Sequence, residues 1–79
     1  MQSAEIHFGK QLKLLRANCG ISQEELSHLA DVHTSYVSKL ERGTKSPTLG
    51  VILRMAAALG VSGANLIDRV ERSIAEHAE

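Results

Sequence analysis

Apolar side chains recur at three- and four-residue intervals in five separate runs along this chain, and no run alternates with a period of two. The first run spans about Ala4 to Asn18, where Ile6, Phe8, Leu12 and Leu15, with Leu14 one step off, trace the stripe of an amphipathic helix. Ser3 is available as its cap, Lys10 and Lys13 fall on the water side, and Asn18, Cys19 and Gly20 end it, glycine suiting the left-handed residue after a helix. Ser22 followed by Glu25 is a capping box, each side chain able to satisfy the other residue's unpaired backbone amide. It opens a helix from about Gln23 to Ala30 that presents Leu26, Leu29 and Ala30 to the core, with Asp31, Val32 and His33 as the turn that follows. A third helix runs from about Thr34 to Glu41, with Val37 and Leu40 facing inward. Thr48, just after the only proline, Pro47, caps a fourth helix whose expected stripe is Leu49, Ile52, Leu53, Ala56 and Leu59, ended by Gly60. Ser62 starts a fifth, over about 62–77, along which Leu66, Ile67, Val70 and Ile74 form an apolar seam. The pattern predicts an all-α fold: one domain over 1–79, a compact five-helix bundle.

The third helix is the anomaly. Its outward face carries Thr34, Ser35, Ser38 and Lys39, and threonine and serine are mediocre helix formers. Stability alone would favour Glu, Lys, Gln or Ala at such exposed positions, so this face is read as one put to use. Arg42, Gly43, Thr44, Lys45 and Ser46 follow it as a basic loop.

Composition limits what that use can be. A chain of 79 residues buries only about 60% of the surface its unfolded form exposes, so association with a second copy would help stability. With a single cysteine, Cys19, there is no intramolecular disulfide and no thiolate cluster, which fits a reducing cytoplasm; a small apolar filler is its plainest role. No apolar run approaches the length of about 20 residues that a membrane span needs, and the first residues lack the pattern of a signal peptide, so a soluble cytoplasmic protein is expected. Catalysis finds no foothold. His7, His28, His33 and His77 are scattered without metal-ligand spacing, the adjacent Glu24 and Glu25 point to different sides of a helix, and no glycine-rich phosphate loop occurs. Neither enzyme activity, metal, cofactor nor small-molecule ligand is expected. Net charge is zero, at first an objection to a nucleic-acid partner, but its distribution is uneven. Lys39, Arg42, Lys45 and Arg54 stand against Glu41 alone between His33 and Arg54, whereas Glu24, Glu25 and Asp31 make the preceding stretch acidic. One basic end on a neutral molecule is the result.

Four blocks in order now carry a resemblance: the helix of Leu12 to Arg16, GISQEEL from Gly20, SYVSKLERG from Ser35 and SPTLGVILRMAAALGV from Ser46. Together they resemble the phage-repressor/Cro family of bacterial regulators, also called the xenobiotic-response-element family, over about Phe8 to Val61. The resemblance implies a lambda-repressor-like bundle with its helix-turn-helix at about 23–42 and its recognition helix at about 34–41 in the major groove of double-stranded DNA. It puts Thr34, Ser35 and Lys39, with Ser38 beside them, at base edges, where Lys39 could donate to guanine and Thr34 could touch a thymine methyl or donate to a base. Gln23, at the start of the second helix, is implied as a phosphate contact, a place where free amides already attract an anion. Arg42, Thr44 and Lys45 would grip the backbone. Tyr36 is open between a phosphate contact through its hydroxyl and a half-buried packing role, and Arg54 is read as solvated. Arg16 and Glu41 match the positions of a partly buried ion pair that fixes the angle of the recognition helix. Three departures stand out: Ser27 where alanine is usual, Asp31 where glycine is common, and His33 in place of a serine or threonine cap.

One recognition helix contacts too few base pairs for useful selectivity, so a homodimer on a palindromic operator is expected. Leu66, Ile67, Val70 and Ile74, with part of the fourth helix, are its candidate interface, since an apolar strip left in water is a liability. With no separate sensor domain in the sequence, the economy resembles the controller proteins of restriction-modification systems. The alternative from another class is an antitoxin that binds a toxin through its C-terminal helix and represses its own promoter.

Overall fold

A computed structural model describes residues 3–77, so the ends of the expected 1–79 domain, residues 1, 2, 78 and 79, lie outside the described residues. It contains five α-helices: α1 (Ala4–Cys19), α2 (Gln23–Ala30), α3 (Thr34–Arg42), α4 (Leu49–Ala58) and α5 (Gly63–Glu76). Their starts follow the capping residues. Ser3, Ser22, Thr48 and Ser62 each accept a hydrogen bond from the backbone amide three residues on, and Ser22 and Glu25 complete the reciprocal box. The exception is α3, where His33 occupies the cap position without a side-chain hydrogen bond. Asp31 ends α2 in the left-handed conformation at φ 57°, a geometry open to aspartate at modest cost.

Helix α1 is the central pillar, packed on α3 and α5; α2 packs on α3 and α4, and α4 on α5. The core gathers Phe8, Leu12 and Leu15 from α1, Leu26 and Ala30 from α2, Val37 and Leu40 from α3, Val51, Met55, Ala56 and Leu59 around α4, and Leu66 and Val70 from α5. Val32 and Tyr36 pack against it from the edge. No single helix among the described residues is long and apolar enough to cross a membrane. Helices α4 and α5 reach that length only when taken together across a bend of 102°.

Two expected stripes are corrected. In α4, Leu49 and Leu53 are 72% and 51% exposed, and the buried line is Val51, Met55 and Leu59, with Ala56 alongside and Ile52 half-buried. The helix LGVILRMAAA is apolar nearly all round, so two parallel stripes of equal spacing exist and only packing selects one. In α2, Leu29 is 62% exposed and Ser27 takes the inner position beside Leu26 and Ala30. A small residue there lets α3 approach closely, whereas a leucine would hold it off.

The seam on α5 is likewise divided. Leu66 and Val70 are core residues, Ile74 is half-buried against the core, and only Ile67 stands at the surface. Of the four side chains expected at a dimer interface, Leu66 and Val70 are thus used in closing the monomer.

Histidine 7 was unremarked by periodicity and is fully buried where α1 crosses α5. Its Nδ1 pairs with the Ser73 hydroxyl at 2.8 Å, while its Nε2 has no hydrogen-bond partner among the described residues. The ring lies 5.4 Å from that of His77, whose own Nδ1 donates to the Ser73 carbonyl at 2.8 Å. Burial, with His77 and Lys10 as cationic neighbours, lowers the His7 pKa below the ordinary value of 6.5. Folding thus favours the neutral ring, the unfolded chain binds more protons, and stability is present above that ordinary value and lost on acidification through it. The urea midpoint is expected to fall between about pH 7 and about pH 5, and His7→Gln should flatten that slope. Equal slopes in the two proteins would remove His7 as the cause.

Candidate nucleic-acid interface

The outward face of α3 is built by what holds α3 from behind. Val37 and Leu40 bury its inner side completely, which turns Thr34, Ser35 and Lys39 to solvent and leaves Ser38 half-exposed beside them. The four expected base-contacting residues therefore share one accessible face. Tyr36 is half-buried with its ring against the core, so the packing role left open by the sequence is filled.

At the far end of α3, the Glu41 carboxylate is the meeting point of three elements. Arg16 of α1 donates to it twice, Nε to Oε2 at 2.6 Å and Nη2 to Oε1 at 3.1 Å, in the planar fork that suits a carboxylate. The third Arg16 nitrogen, Nη1, donates to the Ile21 carbonyl at 2.9 Å, on the strut between α1 and α2. Gln23 at the start of α2 adds a donation from Nε2 to Oε1 at 2.9 Å. The side chains of Arg16 and Glu41 are 16% and 4% exposed, and the hydrogen bond that Arg16 donates to Glu41 raises the Arg16 pKa above its ordinary value. The ion pair implied by resemblance is thus present, and it holds a residue expected to face phosphate. One of the two Gln23 amide protons is committed to Glu41 and the other is left to point elsewhere.

Close approach of α1 and α3 makes this geometry possible. At Gly9 an added Cβ would collide with the backbone carbonyl oxygens of Leu40 and Glu41, so α3 rests directly on the α1 backbone. At the other end of α3, the hydroxyls of Ser27 and Thr34 meet at 3.0 Å and link α2 to the first residue of the helix. Periodicity gave no sign of this second tie; the unusual serine in place of alanine was the only signal.

After α3, Gly43 turns the chain at φ 76° against Ile6, and the loop leads away with Thr44, Lys45 and Arg42 all exposed. Thr44 is held back on the helix, its Oγ1 donating to the Lys39 carbonyl at 3.2 Å. Arg54, read as simply solvated, donates from Nε to the Ala30 carbonyl at 3.0 Å and so satisfies an orphan acceptor at the end of α2. Lys39, Arg42 and Lys45 are exposed on and just after α3, while Glu41 is neutralised from within by Arg16. No group of three or more metal-ligating side chains occurs among the described residues.

Residues 12–66 match the family model described as helix-turn-helix. Among relatives, the chain is 37% identical over 62 residues to the control protein C.BamHI of Bacillus amyloliquefaciens, which covers 77% of this chain and 76% of that protein. Among solved structures it is similar to the restriction-modification controller protein C.AhdI of Aeromonas hydrophila, at 39% identity and a TM-score of 0.77 over 78% of this chain and 94% of that one. The clp gene regulator ClgR of Corynebacterium glutamicum superposes with a TM-score of 0.90 at 29% identity, over 95% of this chain and 80% of that one.

If the Glu41 junction sets the pose of α3, Arg16→Met should lower stability by about 2–4 kcal/mol, because it strands a largely buried carboxylate. Urea denaturation monitored by circular dichroism measures this, and a loss under about 0.5 kcal/mol, the range of ordinary surface substitutions, would show that the junction is dispensable.

Proposed function

The chain belongs to the helix-turn-helix family of DNA-binding transcriptional regulators, which are not enzymes, and from that premise we propose that it binds a palindromic operator as a homodimer. Helix α3 lies in the major groove in this reading. The observation that carries it is the outward face of α3: short polar groups and one lysine, on a helix whose rear is fully buried and whose two ends are tied to α1 and α2. Lys39 donates to guanine O6 or N7, and Ser35 and Ser38 contact neighbouring base edges. Arg42, Lys45 and Thr44 take the phosphates flanking the groove, and Gln23 adds its remaining amide proton from the other side. These contacts set register and salt dependence and carry little sequence information.

The dimer seam is assigned to the apolar side chains that the monomer leaves in water. Leu49 and Leu53 are one turn apart on α4, and Leu53 lies directly against Gly63, one turn before Ile67 on α5. In this reading those three exposed side chains, with the half-buried Ile52, supply the apolar contacts between two copies. A twofold axis through these contacts presents two recognition helices to half-sites about one DNA turn, roughly 34 Å, apart. Similarity to control proteins of restriction-modification systems favours a stand-alone bacterial controller over the antitoxin alternative.

In gel shifts against DNA upstream of its own gene, Lys39→Ala is expected to weaken specific binding by about 10- to 100-fold. Unchanged affinity and sequence preference would sink the assignment of α3 as the reading helix. Paired Lys45→Ala measurements should lower the salt slope of binding by about one, with sequence preference retained. Sedimentation of Leu53→Asp and Ile67→Asp should show monomers; dimers that persist in both place the interface elsewhere.

A further inference from the structure

The proton count at the α2–α3 contact has a consequence for what Thr34 can read. Ser27 is 4% exposed, and its Oγ donates to the Glu24 carbonyl at 2.6 Å. A carbonyl oxygen can only accept, so the single hydroxyl proton of Ser27 is spent there. The Ser27 Oγ nevertheless lies 3.0 Å from Thr34 Oγ1, a separation that two oxygens hold comfortably only with a proton between them. That proton has to come from Thr34. Thr34, exposed at the first position of α3, therefore turns to solvent with lone pairs and a methyl group and with no free donor.

We infer that Ser27 is a positioning residue for sequence reading: by taking the Thr34 proton, it makes Thr34 an obligate hydrogen-bond acceptor toward DNA. The inference rests on the proposed placement of α3 in the major groove. In that groove the only donors are the exocyclic amines, adenine N6 and cytosine N4; guanine N7 and O6, adenine N7 and thymine O4 all accept. Thr34 then selects adenine or cytosine at the base it faces. Guanine or thymine there sets acceptor against acceptor and leaves a polar atom unpaired. Of the two roles the sequence offered Thr34, contact with a thymine methyl and donation to a base, the second is thereby set aside. An alanine at position 27, the usual residue in the resembling family, leaves the Thr34 hydroxyl free to rotate and able to donate. Serine here narrows the choice.

Selection from a randomised operator, followed by competition binding, tests this with wild type, Ser27→Ala, Thr34→Val and Lys39→Ala proteins. Thr34→Val, which keeps the shape and removes the hydroxyl, identifies the base position concerned. At that position the wild type should prefer adenine or cytosine by about 5- to 10-fold, a single hydrogen bond's worth. Ser27→Ala should admit guanine or thymine there, leave preferences at other positions unchanged and keep a cooperative melting transition. A wild-type profile unaffected by Thr34→Val, or a Ser27→Ala profile identical to wild type, overturns the inference. So does a Ser27→Ala change spread over all positions, since that would report a tilted helix. Sequence preference that survives Lys39→Ala intact would instead bring down the groove placement on which the inference stands.

Discussion

A carboxylate with 4% of its side chain exposed, Glu41, is the constraint on which the pose of α3 depends. Removing a charge from water is costly, and the attraction of one partner seldom more than offsets it unless every lone pair is also satisfied. Here the Arg16 fork and the Gln23 amide together supply three donors from two other helices. The net stability from such an arrangement can be small. What it specifies is geometry: Glu41 is satisfied only when α1, the start of α2 and the end of α3 meet at one point. Gly9 permits the approach, since any side chain there would hold α3 away from the α1 backbone.

How much of this was legible in the sequence follows from how local each determinant is. All five helices, and four of their caps, are written in short-range patterns, because a serine or threonine and the amide three residues on belong to the same turn. The Arg16–Glu41 pair and the outward face of α3 were legible through resemblance and through the poor helix formers placed there. The inner face of α4 was not, since an all-apolar helix offers no angular contrast between the stripe through Leu49 and Leu53 and the buried line through Val51 and Met55. Leu29 misled for a related reason: Ser27 and Ala30 are small, and close helix packing rewards absence of volume. His7 was illegible because its partner is 66 residues away.

Helix α5 carries an apolar surface wider than the core of the monomer uses. Leu66 and Val70 close the monomer, and Ile67, one position from Leu66, lies at the surface, as Leu53 and Leu49 do on α4. Because adjacent helix positions are about 100° apart, a seam wider than the core requires leaves residues on its flank. A 79-residue chain has a small core for its surface, so covering that flank in the proposed dimer would add stability where the monomer has least to spare.

Neutral net charge gives these local ties their importance. Phosphate attraction supplies most nonspecific affinity, and it grows with the number of cations a protein brings to the duplex. Few are available beside α3: Lys39, Arg42 and Lys45 are exposed there, and Arg54 already serves the end of α2. A regulator with weak general attraction loses little to random DNA, but its specific complex then depends on base contacts made without misalignment. Two different ties hold α3 for that purpose. The ionic junction at Glu41 fixes one end against α1, and the neutral Ser27–Thr34 bond fixes the other against α2. A charged tie at the amino end would have placed a buried ion beside the proposed base-reading positions. A hydroxyl pair orients the helix there and, on the proposed proton assignment, sets the donor-acceptor character of Thr34 with no added charge.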